Sequence, residues 1–322
     1  MKAVLSILLF MAGIGTFHAA GAQAYPTKAI RFVVPFSPGG GTDLQARTIA
    51  QELHEAWRQP VVVDHRPGGT GAVGSGVVLQ SPADGYTIFI VTSSTHAISP
   101  NLYREPPYNP VKDFAAVTQT ATAPELVIAH PSLPVRSIKE LIALAKAQPG
   151  KLNFASPGTG SIGHMTGELF KLVAGLKIVH VPYKGSGAAV RELLGGQVEL
   201  MFSAPGAVIE HVRVGRLRAL GVLAGKRMPL LKNIPTLAEL GYPQIDASNW
   251  YGILVRTGTP TAIINKLGQE IGRIVQQPEV KKLLLRQGYT VQTSTPEQFA
   301  EHVRKEFEKW GKVVRESGTK LK

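Results

Sequence analysis

The sequence predicts an α/β protein of two lobes. Strands and amphipathic helices alternate along its 322 residues, and glycine-marked loops follow strands and open helices. The alternation runs through two successive blocks, the second beginning near Glu125, before long surface helices return after Trp250. A chain of this length is past the size at which one core keeps growing, so about two domains are expected.

The chain opens with an address. Lys2 precedes an apolar run from Ala3 to Phe17, and Ala22-Gln23-Ala24 is a small-x-small cleavage site. The run is short for a bilayer span, which needs about 20 apolar residues, and no basic stop-transfer cluster follows. Residues 1–24 are therefore expected to be a signal peptide cleaved after Ala24, in preference to a retained anchor, giving a periplasmic protein that begins at Tyr25.

Ile30 to Phe36 is a continuous apolar run like a buried parallel strand. Ser37-Pro38-Gly39-Gly40-Gly41 follows, and Thr42 with Gln45 reads as a capping box. Ala46, Ile49, Ala50, Leu53 and Trp57 then keep helical spacing. Val61 to Asp64 is the next strand, ending at Arg66-Pro67-Gly68-Gly69-Thr70-Gly71. Tyr86 to Thr92 is a third, ending at Ser93-Ser94-Thr95-His96. In the second block Ser137 and Glu140 cap a helix that stops at Pro149-Gly150. Strands at Leu152–Ser156, Ile178–Val181, Val198–Phe202 and Leu217–Leu223 join Leu126–Ala129 in a five-strand set. Two amphipathic helices close the chain. One opens at Thr259-Pro260 and carries Ile263, Ile264, Leu267, Ile271 and Ile274; the other opens at Thr295-Pro296 and carries Phe299, Val303, Phe307, Trp310 and Val314.

Leu126–Ala129 would carry the chain across to the second lobe and Trp250–Val255 would return it, two crossover strands acting as a hinge. The expected lobes are 25–124 plus 250–322, and 125–249, each a mixed or parallel sheet flanked by helices. Ligands of open α/β sheets bind where loops leave the carboxyl ends of strands, and two such rims face to face make a hinged cleft.

Composition removes whole classes. With no cysteine there are no disulfides, thiolate metal sites, iron–sulfur clusters or thiol catalysis. The net charge of +13 is scattered, and no basic arm, zinc finger or RNA-binding motif accompanies it, so nucleic acid is not expected. A diffuse positive field suits solubility or the steering of small anions.

Three chemistries fail on residues. Gly158-Thr159-Gly160-Ser161-Ile162-Gly163 is G-x-G-x-x-G after a strand, but the next strand ends His180-Val181-Pro182-Tyr183-Lys184, without the acid that ribose recognition needs. Thr159-Gly160-Ser161-Ile162-Gly163 misses the first glycine of a nucleophile elbow. His164 and Glu168 alone do not make a zinc site, so neither metal nor cofactor is expected. What remains is a set of loops rich in N–H groups and hydroxyls, placed after strands and opening helices, which is the recipe for holding an anion.

At these residues the chain resembles the Bug-type solute-binding proteins, the extracytoplasmic receptors of tripartite tricarboxylate transporters. The resemblance lies in Val33-Val34-Pro35-Phe36-Ser37-Pro38-Gly39-Gly40 with Thr42-Asp43 and Ala46-Arg47, in Arg66-Pro67-Gly68, and in Ser94-Thr95-His96-Ala97. It continues through Tyr108-Asn109-Pro110-Val111-Lys112-Asp113-Phe114 and Ala155-Ser156-Pro157-Gly158-Thr159-Gly160-Ser161 with His164. Val181-Pro182-Tyr183-Lys184-Gly185, Leu194-Gly195-Gly196-Gln197 and Trp250-Tyr251-Gly252 complete it.

The resemblance implies a two-lobed periplasmic binding protein fold that closes on a small carboxylate without catalysis, as a monomer working with membrane transporter subunits. In such proteins the loop after the first strand and its counterpart in the second lobe pinch the carboxylate. Here these are Phe36, Ser37, Gly39, Gly40, Thr42 and Asp43, and Ser156, Thr159, Gly160 and Ser161 with His164. The rest of the rim would be Gly68 and Gly69, Ser93, Ser94 and Thr95, Tyr183 and Lys184, and Ser203 and Ala204. The alternative is an exported, hydrolase-like enzyme acting on a small anion. Ser203 stands where the family often carries Asp, which points to acids lacking an amino group, unless Ser203 merely caps the helix opening at Pro205.

Overall fold

The computed structural model describes residues 25–320, so the expected signal peptide and its cleavage site lie outside the described residues. In chain order the elements are β1 (Ile30–Val34), α1 (Gly41–Trp57), β2 (Val61–His65), α2 (Ala72–Gln80), β3 (Thr87–Thr92), α3 (Ser99–Leu102) and β4 (Phe114–Ala129). Then come α4 (Ile138–Ala147), β5 (Asn153–Ser156), α5 (Ile162–Ala174), β6 (Val179–Pro182), α6 (Ser186–Leu194), β7 (Leu200–Ser203), α7 (Pro205–Arg213) and β8 (Arg218–Leu223). The chain closes with β9 (Ser248–Arg256), α8 (Thr261–Gln276), α9 (Pro278–Arg286), β10 (Thr290–Val291) and α10 (Pro296–Ser317).

Two sheets are built on one long strand. The first has the order β2-β1-β3-β9-β4-β10, with β1 parallel to β2 and β3, and β9 antiparallel to both β3 and β4. The second has the order β8-β4-β7-β5-β6, with β5 parallel to β6 and β7. Residues 114–124 of β4 pair with β9, and residues 126–129 pair with β7 and β8. At the changeover Glu125 N–H donates to the Ala247 carbonyl, and Ala247 N–H to that of Leu223. The molecule is a two-lobed α/β protein, as the alternation predicts.

The hydrophobic pattern explains which faces meet. In α8, Leu267, Ile271 and Ile274 are buried against the first sheet, while Ile263 and Ile264 are only partly covered. In α10, Phe299, Val303, Trp310 and Val314 are buried, and Phe307 is half-buried. The four buried α10 side chains belong to the largest core cluster. It also holds Phe89 of the first sheet, Met165 and Phe170 of α5, and Phe154 and Phe202 of the second sheet. The lobes thus share one apolar core behind the cleft.

Local signals hold at some helix starts and fail at one. Ser137 Oγ accepts from Glu140 N–H at 3.2 Å, and Thr295 with Gln298 forms a full capping box. The capping box expected at Thr42 is absent: α1 starts two residues earlier, behind Gly40, and no side chain caps it. Asp43 inside the first turn takes over by reaching back to the loop. Further elements carry no sequence expectation: α2, α3, α9, β10 and a buried single π-turn at Ser94–Ile98. Extra residues in a helical turn of this kind gather at functional sites.

Candidate functional site

Between the two sheets lies a cleft of about 1270 Å³. It is entered by the first turns of four helices: α1 through Gly41–Leu44, α5 through Ile162 and Gly163, α6 through Ser186 and Gly187, and α7 through Gly206 and Ala207. Each helix start presents amide hydrogens without an intrahelical acceptor and the positive end of the helix dipole. Their convergence on one space makes a field suited to an anion. At the rim, Lys184 and Arg191 line the opening, and neither has a salt-bridge partner among the described residues.

The loop after β1 is held by Asp43. Its carboxylate accepts from Gly39 N–H at 2.9 Å and Arg47 Nε at 2.8 Å, and lies 2.7 Å from His65 Nε2. Burial pushes the Asp43 carboxyl up, but the Gly39 amide, His65 and Arg47 outweigh it, and the carboxyl titrates below the ordinary aspartate value. Its negative charge is balanced by the Arg47 guanidinium before any anion arrives. Because the folded-state value is depressed, this group stabilises the fold above its unfolded pKa, and the contribution is lost as pH falls through the folded value. Asp43→Asn should cost about 1.5–3 kcal/mol, the range for hydrogen bonds to a charged group. Urea melts from pH 6 down to pH 2 check this: wild type should lose its advantage over the variant only in the acid part of the range.

The loop after β5 is stapled from within. Ser156 Oγ lies 2.6 Å from His180 Nε2 and accepts from Gly158 N–H at 3.1 Å. His164 Nδ1 accepts from Gly160 N–H at 3.1 Å, and the His164 ring stacks on His180 with centroids 3.7 Å apart. Burial brings His164 down to about 3 and His180 down to about 4, so both are neutral at physiological pH. Gly160 has φ +80° and faces Leu102 so closely that a methyl group there would collide with it. Ser161 caps α5: its hydroxyl donates to the Gly158 carbonyl at 2.7 Å and accepts from His164 N–H.

The sequence-expected site residues divide accordingly. Phe36, Ser37, Gly39, Gly40, Thr42 and Asp43 of the first loop line the cleft. So do Ser94, Thr159, Ser161, Lys184, Ser203 and Ala204. Ser156, Gly160, His164, Tyr183, Gly68 and Gly69 stand behind it, shaping the loops that do the lining. Ser93 and Thr95 are internal ties: Ser93 Oγ accepts from Trp250 N–H at 3.1 Å, and Thr95 Oγ1 bonds both backbone groups of Thr92. Ser94 reaches across, its hydroxyl accepting from Ile162 N–H at 3.2 Å. Ser203 does not cap α7, whose N-cap is Ala204 without a side-chain bond.

Sequence reasoning missed the floor. Thr92, Glu125, Asn249, Tyr251 and Tyr289 line it, from β3, the changeover in β4, β9 and the edge of β10. The available signal was Glu125 itself, a lone charge between Ala123 and a run of buried apolar residues.

A two-lobed fold around an anion-receptive cleft is the architecture of a solute-binding protein. The profile described as "Tripartite tricarboxylate transporter family receptor" matches residues 45–319, and the chain belongs to that family. It is 40% identical to Protein BugT of Bordetella pertussis (strain Tohama I), over 100% of this chain and 98% of that one. Among solved structures it is similar to Rpa4515 of R. palustris with adipate (36% identity, TM-score 0.85, covering 92% of this chain and 100% of that one). It is also similar to MatC of Rhodopseudomonas palustris with bound malate (29% identity, TM-score 0.81, covering 90% and 100%). The family consists of solute receptors rather than enzymes, which removes the hydrolase alternative. Among the described residues no helix is long and apolar enough to cross a membrane.

Proposed function

We propose that this chain is an exported receptor that binds a small carboxylate between its lobes and presents it to the membrane subunits of a tripartite tricarboxylate-type transporter. The observation that carries the reading is the convergence of four helix N-termini on one cleft whose rim cations are unpaired and whose Asp43 charge is already balanced by Arg47. The adipate and malate bound to two similar receptors support the ligand class. The mature protein would begin at Tyr25, act in the periplasm as a monomer, and hinge between lobes 25–124 plus 250–322 and 125–249.

The ligand class is tested by thermal unfolding of ligand-stripped protein against a panel of mono- and dicarboxylates and their amides. A carboxylate at a hundredfold excess over its dissociation constant should add about 2.7 kcal/mol of stability, and the matching amide none. A panel without any shift would remove the proposal. Pull-down with the transporter membrane subunits, with and without ligand, tests the partnership separately.

A further inference from the structure

The cleft floor carries polar atoms that the anion-binding loops do not use. Both Glu125 oxygens, Asn249 Oδ1 and Thr92 Oγ1 are buried without a hydrogen-bond partner, and all three residues line the cleft. Glu125 is 1% exposed, Thr92 3% and Asn249 8%. Strand register places them on one face: Thr92 pairs with Tyr251, Asn249 lies two residues before Tyr251 and pairs with Ala123, and Glu125 lies two residues beyond Ala123. Neighbouring positions paired across strands share a face, as do alternate positions along one.

Their chemistry leans toward acceptance. Asn249 donates an amide N–H to the Tyr251 hydroxyl at 2.9 Å, and its carbonyl oxygen is left as an acceptor without a partner. Glu125 adds two acceptor oxygens when ionised, or one acceptor and one O–H donor when protonated, and Thr92 adds a hydroxyl that can take either role. Buried acceptors without donors are costly to leave unmade, so this floor is complementary to a group that supplies N–H or O–H. Burial raises the Glu125 carboxyl to about 8, so it is largely neutral in the empty cleft. Besides Glu125 itself, the titratable groups at this floor are the Tyr251 and Tyr289 hydroxyls, which burial also raises.

We infer that Glu125, Asn249 and Thr92 form a subsite that reads a hydrogen-bond donor on the ligand, so the receptor selects carboxylates bearing a hydroxyl or amino group over unsubstituted acids. This rests on the carboxylate reading of the cleft and adds the second point of recognition. It opposes the expectation drawn from Ser203, which considered one rim position and not the carboxyl at the changeover of β4. An ammonium would draw the proton from Glu125 into solvent and pair with the carboxylate left behind; a hydroxyl would donate to it without that release.

Titration calorimetry on matched triplets decides it, each triplet being an unsubstituted acid with its hydroxy and amino analogues, substituted next to the carboxylate or at the far end. At least one donor-bearing acid should bind tenfold or more tighter than its unsubstituted partner. Glu125→Ala, and the isosteric Glu125→Gln should the first fail to fold, should shrink that preference below threefold. Repeating the titration at pH 7 in buffers of different ionisation enthalpy separates the two donors, with proton release for an amine and none for a hydroxyl. Equal affinity across every triplet, or a preference untouched by both variants, would overturn the subsite while leaving the carboxylate reading intact. If no acid of the panel binds, the carboxylate reading itself falls and takes the subsite's ligand class with it.

Discussion

Trp310→Ala should lower the stability of the whole protein by about 3–5 kcal/mol, the usual cost of truncating a buried aromatic to Ala. Trp310 is fully buried in the core common to both lobes, and its indole N–H donates to Glu306 Oε2 at 3.0 Å. The variant leaves a cavity in that core and also strips the Glu306 carboxylate of a donor. Equilibrium urea unfolding, followed by far-ultraviolet circular dichroism, reads the effect as a fall in midpoint with the slope unchanged. A loss under 1 kcal/mol would mean that α10 contributes little to joining the lobes.

Ser203→Asp should weaken carboxylate binding by about 1–4 kcal/mol. That range is Coulomb repulsion at about 4 Å between the dielectric of water and that near a protein surface. Ser203 is buried at the end of β7, lines the cleft, and donates only to the neighbouring Ala204 carbonyl at 3.1 Å. An aspartate there would add a negative charge to the wall of the cleft. Calorimetry in low and moderate salt is the check, and the penalty should shrink with ionic strength if the cleft stays wet. Unchanged affinity would move the bound carboxylate away from β7.

Much of the fold is legible in the sequence because its signals are local. Gly-rich loops after apolar runs mark the ends of β1, β2 and β5, Thr295 with Gln298 marks a helix start, and spaced apolar residues mark the inward faces of α8 and α10. The capping box at Thr42 misleads because Asp43, one residue later, is drawn back to Gly39 by a long-range partner, His65, that local spacing does not contain. The site divides in the same way. The loops that line the cleft are contiguous stretches, whereas the floor is assembled by register from β3, β4 and β9, which lie far apart along the chain. Glu125, Asn249 and Tyr251 become neighbours only once those strands pair. Likewise nothing in the sequence distinguishes Ser161, which lines the cleft, from Ser156, which ties the loop behind it.

The unbroken passage of β4 through both sheets sets the mechanics of the molecule. Lobes joined by slack linkers would swing freely, and each encounter with ligand would carry the full entropic penalty of bringing two bodies together. Here any relative rotation twists a strand hydrogen-bonded on either side of Glu125, against the apolar core packed behind it. Such a joint acts as a torsion spring with a short travel. A joint with short travel leaves less ordering to be done on capture than slack linkers would. Affinity differences among related solutes should then appear mainly as residence time rather than as speed of capture.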